Sequence, residues 1–251
     1  MERRSGEIDG LSTSWLWAGD APLLYVHGVP DSATLWTPFL ARTGGIAVDL
    51  PGFGRSGKPA EWPYSIAGYG RFLHAFLDRL GLERVRLVAH GWGAVGLTLA
   101  HRIERLAALD LVPFLPGHRW HPLARAWRTP LIGELAMGFT GPLTLRWPGR
   151  LSREHAAAVL EHFDHGTQRA ILKLYRATRT AGGPYGAVRA PALVLWGERD
   201  RYFEPAWAER LAAALGGPAE TEIAPGAGHW PWLDRPEVLP RVARFLGMSA
   251  G

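Results

Sequence analysis

The stretch LVAHGWGAVG, residues 87–96, decides how the rest of the chain is read. It begins in the apolar run VRLVAHG (85–91), which has the length and composition of a buried strand. It passes directly into GWGAVGLTLAHRI, whose small and apolar residues suit a buried helix. The junction has the spacing small-x-nucleophile-x-small, in which a tight strand-to-helix turn presents a reactive side chain. Ala89 and Gly93 fill the small positions, but the residue between them is Gly91, which has no side chain to present.

Outward from this turn, short apolar runs alternate with helical patterns, the rhythm of an α/β sheet. APLLYVHG (21–28) and GIAVDLPGFG (45–54) precede the turn as buried strands ending in loops. LAALDLVPF (106–114), APALVLWG (191–198) and AETEIAPGAGH (219–229) follow it. GEIDGLSTSWLWAG (6–19) reads as an N-terminal antiparallel hairpin. YGRFLHAFLDRLG (69–81) has apolar residues three and four apart, and PEVLPRVARFLG (236–247) reads as the closing helix. Residues 115–188 break the rhythm with helical segments and no convincing strand: HPLARAWRTPLIGELAMGF, SREHAAAVLEHF and TQRAILKLYRATR. The expectation is a mostly parallel, doubly wound sheet of about eight strands. Its core is 1–114 with 189–251, and a helical lid at 115–188 follows the sixth strand.

Composition narrows the function classes. The chain has 251 residues, 47% hydrophobic and 20% charged, enough for a sizeable core and without a disorder signature. Its net charge is +5, but the arginines are scattered rather than clustered, which argues against a nucleic-acid surface. No stretch approaches the length of a membrane span, and MERRSGEIDG is followed by no apolar run of signal-peptide type. A soluble, cytoplasmic monomer or homodimer handling a small molecule is expected. The absence of cysteine excludes disulfides, a thiolate nucleophile and sulfur-based zinc sites.

The polar residues that carry chemistry fall at strand ends, where open α/β sheets place their active sites. HGVPDS (His27–Ser32) ends the first core strand, AHGWG the third, and WGERDRYFEP brings Asp200 just past the fifth. GAGHWPWLDRPE sets His229 in a glycine-bounded loop before the last helix. With DLPGFGRSGKP (49–59), these motifs make the chain resemble an α/β-hydrolase over most of its length. HG-x-P resembles the oxyanion loop of the epoxide hydrolase and haloalkane dehalogenase branches, and LVAHGWGA has the frame of their G-H-D-W-G elbow. The resemblance implies Asp200 as the acid and His229 as the base, in the family's order of nucleophile, acid and histidine. It implies oxyanion N–H groups from Val29 and Trp92, a substrate pocket touched by His27 and Asp31, and no cofactor or metal. Two lid tyrosines of epoxide hydrolases donate hydrogen bonds to the epoxide oxygen, and the lid here carries Tyr175 and Tyr185; packing is the competing reading. The indole N–H of Trp92 could also hold a halide.

The departure from the family lies at Gly91, where its Asp or Ser would stand. Nucleophiles in such turns are held at positive φ, so glycine relieves strain there and leaves a hollow beside His229. Two readings stay open. One is an enzyme acting on a small, mostly apolar epoxide, haloalkane or ester, its covalent step impaired or replaced by base chemistry from His229 and Asp200. The other is a non-catalytic small-molecule binder that keeps pocket and lid. His118 with His121, and His162 with His165, have a spacing that suits metal ligation, but no carboxylate or cysteine framework joins them. The tryptophans Trp120, Trp127 and Trp147 are expected to pack the lid against the core.

Overall fold

The computed structural model describes residues 1–140, 151–178 and 188–248. Eight strands form one sheet: β1 (Glu2–Ile8), β2 (Leu11–Ala18), β3 (Leu23–Val26), β4 (Gly45–Val48), β5 (Val85–His90), β6 (Ile103–Leu109), β7 (Ala192–Gly197) and β8 (Ala219–Ala224). Their spatial order is β1-β2-β4-β3-β5-β6-β7-β8. The β1–β2 hairpin and the β2–β4 pair are antiparallel, and every pairing from β4 to β8 is parallel. The expected architecture is therefore present. Several ends differ: the hairpin starts at Glu2, and β6 stops at Leu109 instead of running to Phe114.

Strand β3 shows why the central runs are apolar without alternation. Leu24 and Val26 enter one hydrophobic core, while Leu23 and Tyr25 enter the other, on the opposite face of the sheet. Helix α1 (Thr37–Thr43) and the C-terminal helix (Val238–Phe245) cover the Leu23/Tyr25 face through Phe39, Leu40 and Val242. There Trp36 stacks on Trp232 with ring centroids 5.1 Å apart. Helix α2 (Ile66–Arg79) covers the other face with Tyr69, Phe72, Leu73, Phe76 and Leu77. That spacing is the one predicted for 69–81, and burying each aromatic side chain stabilises the fold by about 2 kcal/mol. Ser65 starts the helix by accepting a hydrogen bond from Gly68 N–H.

Among the described residues, four helices lie between β6 and β7: α3 (Pro122–Arg128), α4 (Ile132–Gly138), α5 (Arg153–Leu160) and α6 (His165–Ala177). No strand occurs between β6 and β7 among the described residues. The single helical stretch read over 121–139 is two helices, broken at Pro130 and at Leu131, whose φ is +67°. The insertion is fastened to the loops that follow β3 and β4. His155 pairs with Asp31 at 2.5 Å, Arg55 with Glu161 at 2.7 Å, and Lys58 with Asp164 at 2.8 Å. Thr167 donates its hydroxyl to the carbonyl of Gly52. The DLPGFGRSGKP loop is itself held by Asp49, whose carboxylate accepts from Ala33 N–H, Arg55 N–H and the Arg3 guanidinium.

Candidate active site

Strand β5 ends at His90, and the chain turns at Gly91 with φ +53° into a tightly wound helix, Gly91–Arg102. The turn is narrow because the neighbouring positions are glycine. A Cβ on Gly93 would lie 2.2 Å from the Val26 carbonyl oxygen, so only glycine lets this helix seat on β3. A Cβ on Gly28 would meet the His90 carbonyl oxygen at 3.0 Å and Trp92 N at 3.3 Å, which shows how closely the loop after β3 approaches the turn. Gly91 differs from both. A Cβ there would meet only Gly28 Cα at 3.6 Å and His229 Nε2 at 3.7 Å, both ordinary contacts. A side chain at position 91 would point at the imidazole of His229.

His229 sits in the loop after β8, drawn inward because Gly197, the last residue of β7, leaves room for the Gly228 carbonyl. Its Nδ1 lies 2.8 Å from Asp200 Oδ2. Asp200 follows β7 and turns back on itself, its Oδ1 accepting from Tyr202 N–H at 2.7 Å and Phe203 N–H at 3.1 Å. Burial alone would raise the Asp200 pKa. The charge and hydrogen bond of His229, together with the Tyr202 N–H, hold it below the ordinary carboxylate range. An ionised Asp200 requires hydrogen on Nδ1 of His229, which leaves Nε2 as a lone-pair base aimed at the space beside Gly91.

Val29 and Trp92 border the same space. Among the described residues, neither backbone N–H has an acceptor within the fold, so both are available to a negatively charged oxygen. The space opens into a cavity of about 470 Å³ lined chiefly by apolar and aromatic side chains, including Leu123, Trp127, Phe139 and Phe163 from the insertion. Tyr175 of α6 is buried at its wall, against Trp92 (4.8 Å between centroids) and Trp127 (5.2 Å). Burial pushes the Tyr175 hydroxyl up, offset in part by the nearby Trp92 side chain, so it is a neutral donor. The indole N–H groups of Trp92 and Trp127 are buried without an acceptor in full hydrogen-bond geometry.

Gly91, Trp92, Val29, Tyr175 and His229 thus converge on one cavity, with Asp200 behind the histidine. His27 and Asp31, expected to touch substrate, do not line it. His27 is fully buried and spends both nitrogens inside the protein, Nδ1 on the Gly28 carbonyl and Nε2 accepting from Leu50 N–H. Asp31 is bound by His155 and by the Trp230 indole, and faces a second cavity. Tyr185 and Trp147 lie outside the described residues. The lid histidines do not pair: His121 caps α3, His118 packs among Trp120, Phe203 and Trp207, and His165 contacts Gln168. Two residues at the site escaped the sequence reading. His90 lies with its ring 4.6 Å from that of His229, and its Nε2–H donates to the His229 carbonyl at 2.8 Å. Asp110 directly follows β6 as a fully buried carboxyl; its one signal is a charge set within the apolar run LAALDLVPF.

Comparison with known proteins agrees with this architecture. Residues 23–241 match the alpha/beta hydrolase family, and the chain belongs to it. A haloalkane dehalogenase of Mesorhizobium japonicum is 40% identical over 133 residues, which span 47% of this chain and 43% of that enzyme. A haloalkane dehalogenase of Bradyrhizobium diazoefficiens is 29% identical over 86% of this chain and 84% of its own. Epoxide hydrolase 3 of Xenopus tropicalis is 28% identical over 94% and 74%. Among solved structures, the haloalkane dehalogenase DbeA of Bradyrhizobium elkani superposes with a TM-score of 0.80 at 25% identity, covering 98% of this chain and 97% of that one.

Proposed function

We propose that this member of the alpha/beta hydrolase family hydrolyses a small, mostly apolar ester or epoxide by general-base attack of water. His229 is the base, Asp200 orients it, and Gly91 stands where the family's nucleophile would be. The observation that carries the reading is the direction of the Gly91 Cα–H bond: a Cβ built there faces His229 Nε2 at 3.7 Å. A water in that position gives its proton to Nε2 while its oxygen attacks the carbonyl carbon or an epoxide carbon. The Val29 and Trp92 N–H groups support the oxyanion of an ester, and the Tyr175 hydroxyl and the indole N–H groups support the oxygen of an opening epoxide. The insertion acts as a lid, excluding bulk water and supplying most of the apolar wall. The apolar lining suits haloalkanes, but these need a stronger nucleophile than base-activated water, so their turnover is expected only once a carboxylate is installed at position 91.

The absence of a reacting atom at Gly91, with the cavity retained, favours a second reading: a small-molecule binder without turnover. Screening esters, epoxides and haloalkanes against the native chain, His229→Ala, Gly91→Asp and Gly91→Ser separates the two. Turnover in the native chain that His229→Ala abolishes supports general-base hydrolysis. Ligands that raise the Tm of a chain that turns over nothing support the binder. Haloalkane or epoxide turnover gained only in Gly91→Asp assigns the site to alkyl-enzyme chemistry, and gain only in Gly91→Ser to acyl transfer.

A further inference from the structure

Asp110 takes no part in the chemistry above, yet its surroundings are unusual. It follows β6 directly, one strand over from the β7 end that carries Asp200. Its φ is +42°, a left-handed conformation that non-glycine residues rarely adopt and that Asp tolerates better than most. The backbone is held there by Asp110 N–H donating to the Leu195 carbonyl at 3.1 Å. The side chain is completely buried, and Oδ1 accepts from Gly197 N–H at 2.9 Å. Oδ2 makes no well-formed hydrogen bond, although side-chain oxygens of Asp110 and Asp200 and a ring nitrogen of His229 all lie within 4.8 Å of one another.

A buried, unpartnered carboxylate oxygen beside a second carboxylate is untenable if both are ionised, because neither charge can be hydrated. The charged groups facing Asp110 are Asp200 and, farther off, Asp234, both acidic. His229, whose ring nitrogen lies within 4.8 Å of both acids, is already committed through Nδ1 to Asp200, and His90 is held neutral by burial. Something positive must therefore lie between the two acids. A magnesium or calcium ion is a poor candidate, because these take six or more oxygen ligands. Here Asp200 Oδ1 is occupied by two backbone N–H groups and Asp110 Oδ1 by a third. A proton needs one donor and one acceptor.

We propose that Asp110 is held as a neutral carboxylic acid whose Oδ2–H is shared with Asp200, making it a positioning residue for the His229–Asp200 pair. Its hydrogen bond spreads the Asp200 charge and fixes the carboxylate plane, so that Oδ2 of Asp200 stays on His229. The proposal rests on the reading of Asp200 as the group that orients His229, but it concerns a protonation state that is measurable without turnover. Burial, then the Asp200 charge, push the Asp110 pKa well above 3.8, whereas Asp200 is held low partly by a hydrogen bond from Asp110.

Two measurements test it on the full-length chain. Infrared difference spectra with carbon-13-labelled aspartate should show a protonated-carboxyl C=O band at neutral pH that Asp110→Asn removes. No such band in the native chain overturns the proposal, as does a band that appears only after chelation, which would place a cation between the acids. The second is the pH dependence of Tm. A raised folded-state pKa gives stability that is complete below the unfolded value of 3.8 and is lost as pH rises through the folded value. The difference in Tm between Asp110→Asn, whose amide keeps the donor without the charge, and the native chain should therefore grow in favour of the variant from about pH 4 to about pH 8. A difference that stays flat or shrinks over that range means Asp110 is ionised in the fold, and the proposal fails.

Discussion

His90 Nε2–H donates to the backbone carbonyl of His229 at 2.8 Å, so the strand leading into the turn also ties down the loop that carries the candidate base. The bond commits His90 to a neutral ring, because its other nitrogen is buried without a partner. Burial, and then the neighbouring His229, depress its pKa from 6.5 to about 3.

That depression makes the fold acid-sensitive in a defined window. Between pH 6.5 and about 3 the unfolded chain binds a proton at His90 that the folded chain refuses, so stability is complete above 6.5 and falls as pH drops. The loss attributable to His90 is on the order of 5 kcal/mol across the window. His118, lowered to about 4 by burial and then by Arg128, acts in the same direction. Urea midpoints of the native chain and of His90→Gln, taken through this range, should show a shallower slope in the variant.

Two glycines of the turn should respond very unequally to the same methyl group. Gly91→Ala meets nothing closer than 3.6 Å and carries only the strain of φ +53°, which is about 1 kcal/mol. Gly93→Ala drives a Cβ to 2.2 Å from the Val26 carbonyl and should cost about 3 kcal/mol or more, or prevent folding. Equilibrium denaturation of the two variants decides the comparison.

The buried pair Asp31–His155 joins the insertion to the loop after β3. His155→Ala leaves Asp31 charged and buried, with the Trp230 indole as its remaining side-chain hydrogen-bond donor among the described residues, a loss of about 3 kcal/mol. Because the damage is at the insertion's attachment, proteolysis within 151–178 should accelerate more than global unfolding does. Equal acceleration of the two would show that the insertion does not open separately.

Tyr175→Phe removes a hydroxyl from the cavity wall and keeps the ring between Trp92 and Trp127. Tm should be nearly unchanged. Epoxide turnover, native or gained in Gly91→Asp, should fall by about 10- to 100-fold, with the ester activity spared, if the hydroxyl supports the epoxide oxygen. An equal fall for esters would give Tyr175 a packing role alone.

The parts of the fold and site that are legible in the sequence share a physical property: each is specified within a few residues. The turn at Gly91 follows from glycines in a strand-to-helix junction, and Asp200 and His229 each stand in a short loop at the end of an apolar run. The strand alternation needed nothing beyond local pattern. What escaped depends on contacts between distant segments. His155 meets Asp31 across 124 positions, and nothing near either residue announces the other. His27 looked free at a strand end, and only the fold brings Leu50 N–H to its second nitrogen. Asp110 was hidden in LAALDLVPF because the run continues apolar past it, while the strand itself stops one residue earlier at Leu109.

The open space at Gly91 has a consequence for how this protein can change. A glycine codon ending in a pyrimidine lies one base substitution from aspartate, serine and cysteine. Each would bring a reactive atom of a different kind toward His229, on a Cβ that displaces no neighbour. The toll of the Cβ itself is the turn's left-handed backbone, small beside a typical folding stability. On the proposed reading of His229 as base, such a codon leaves the chain a single mutational step from three distinct covalent chemistries.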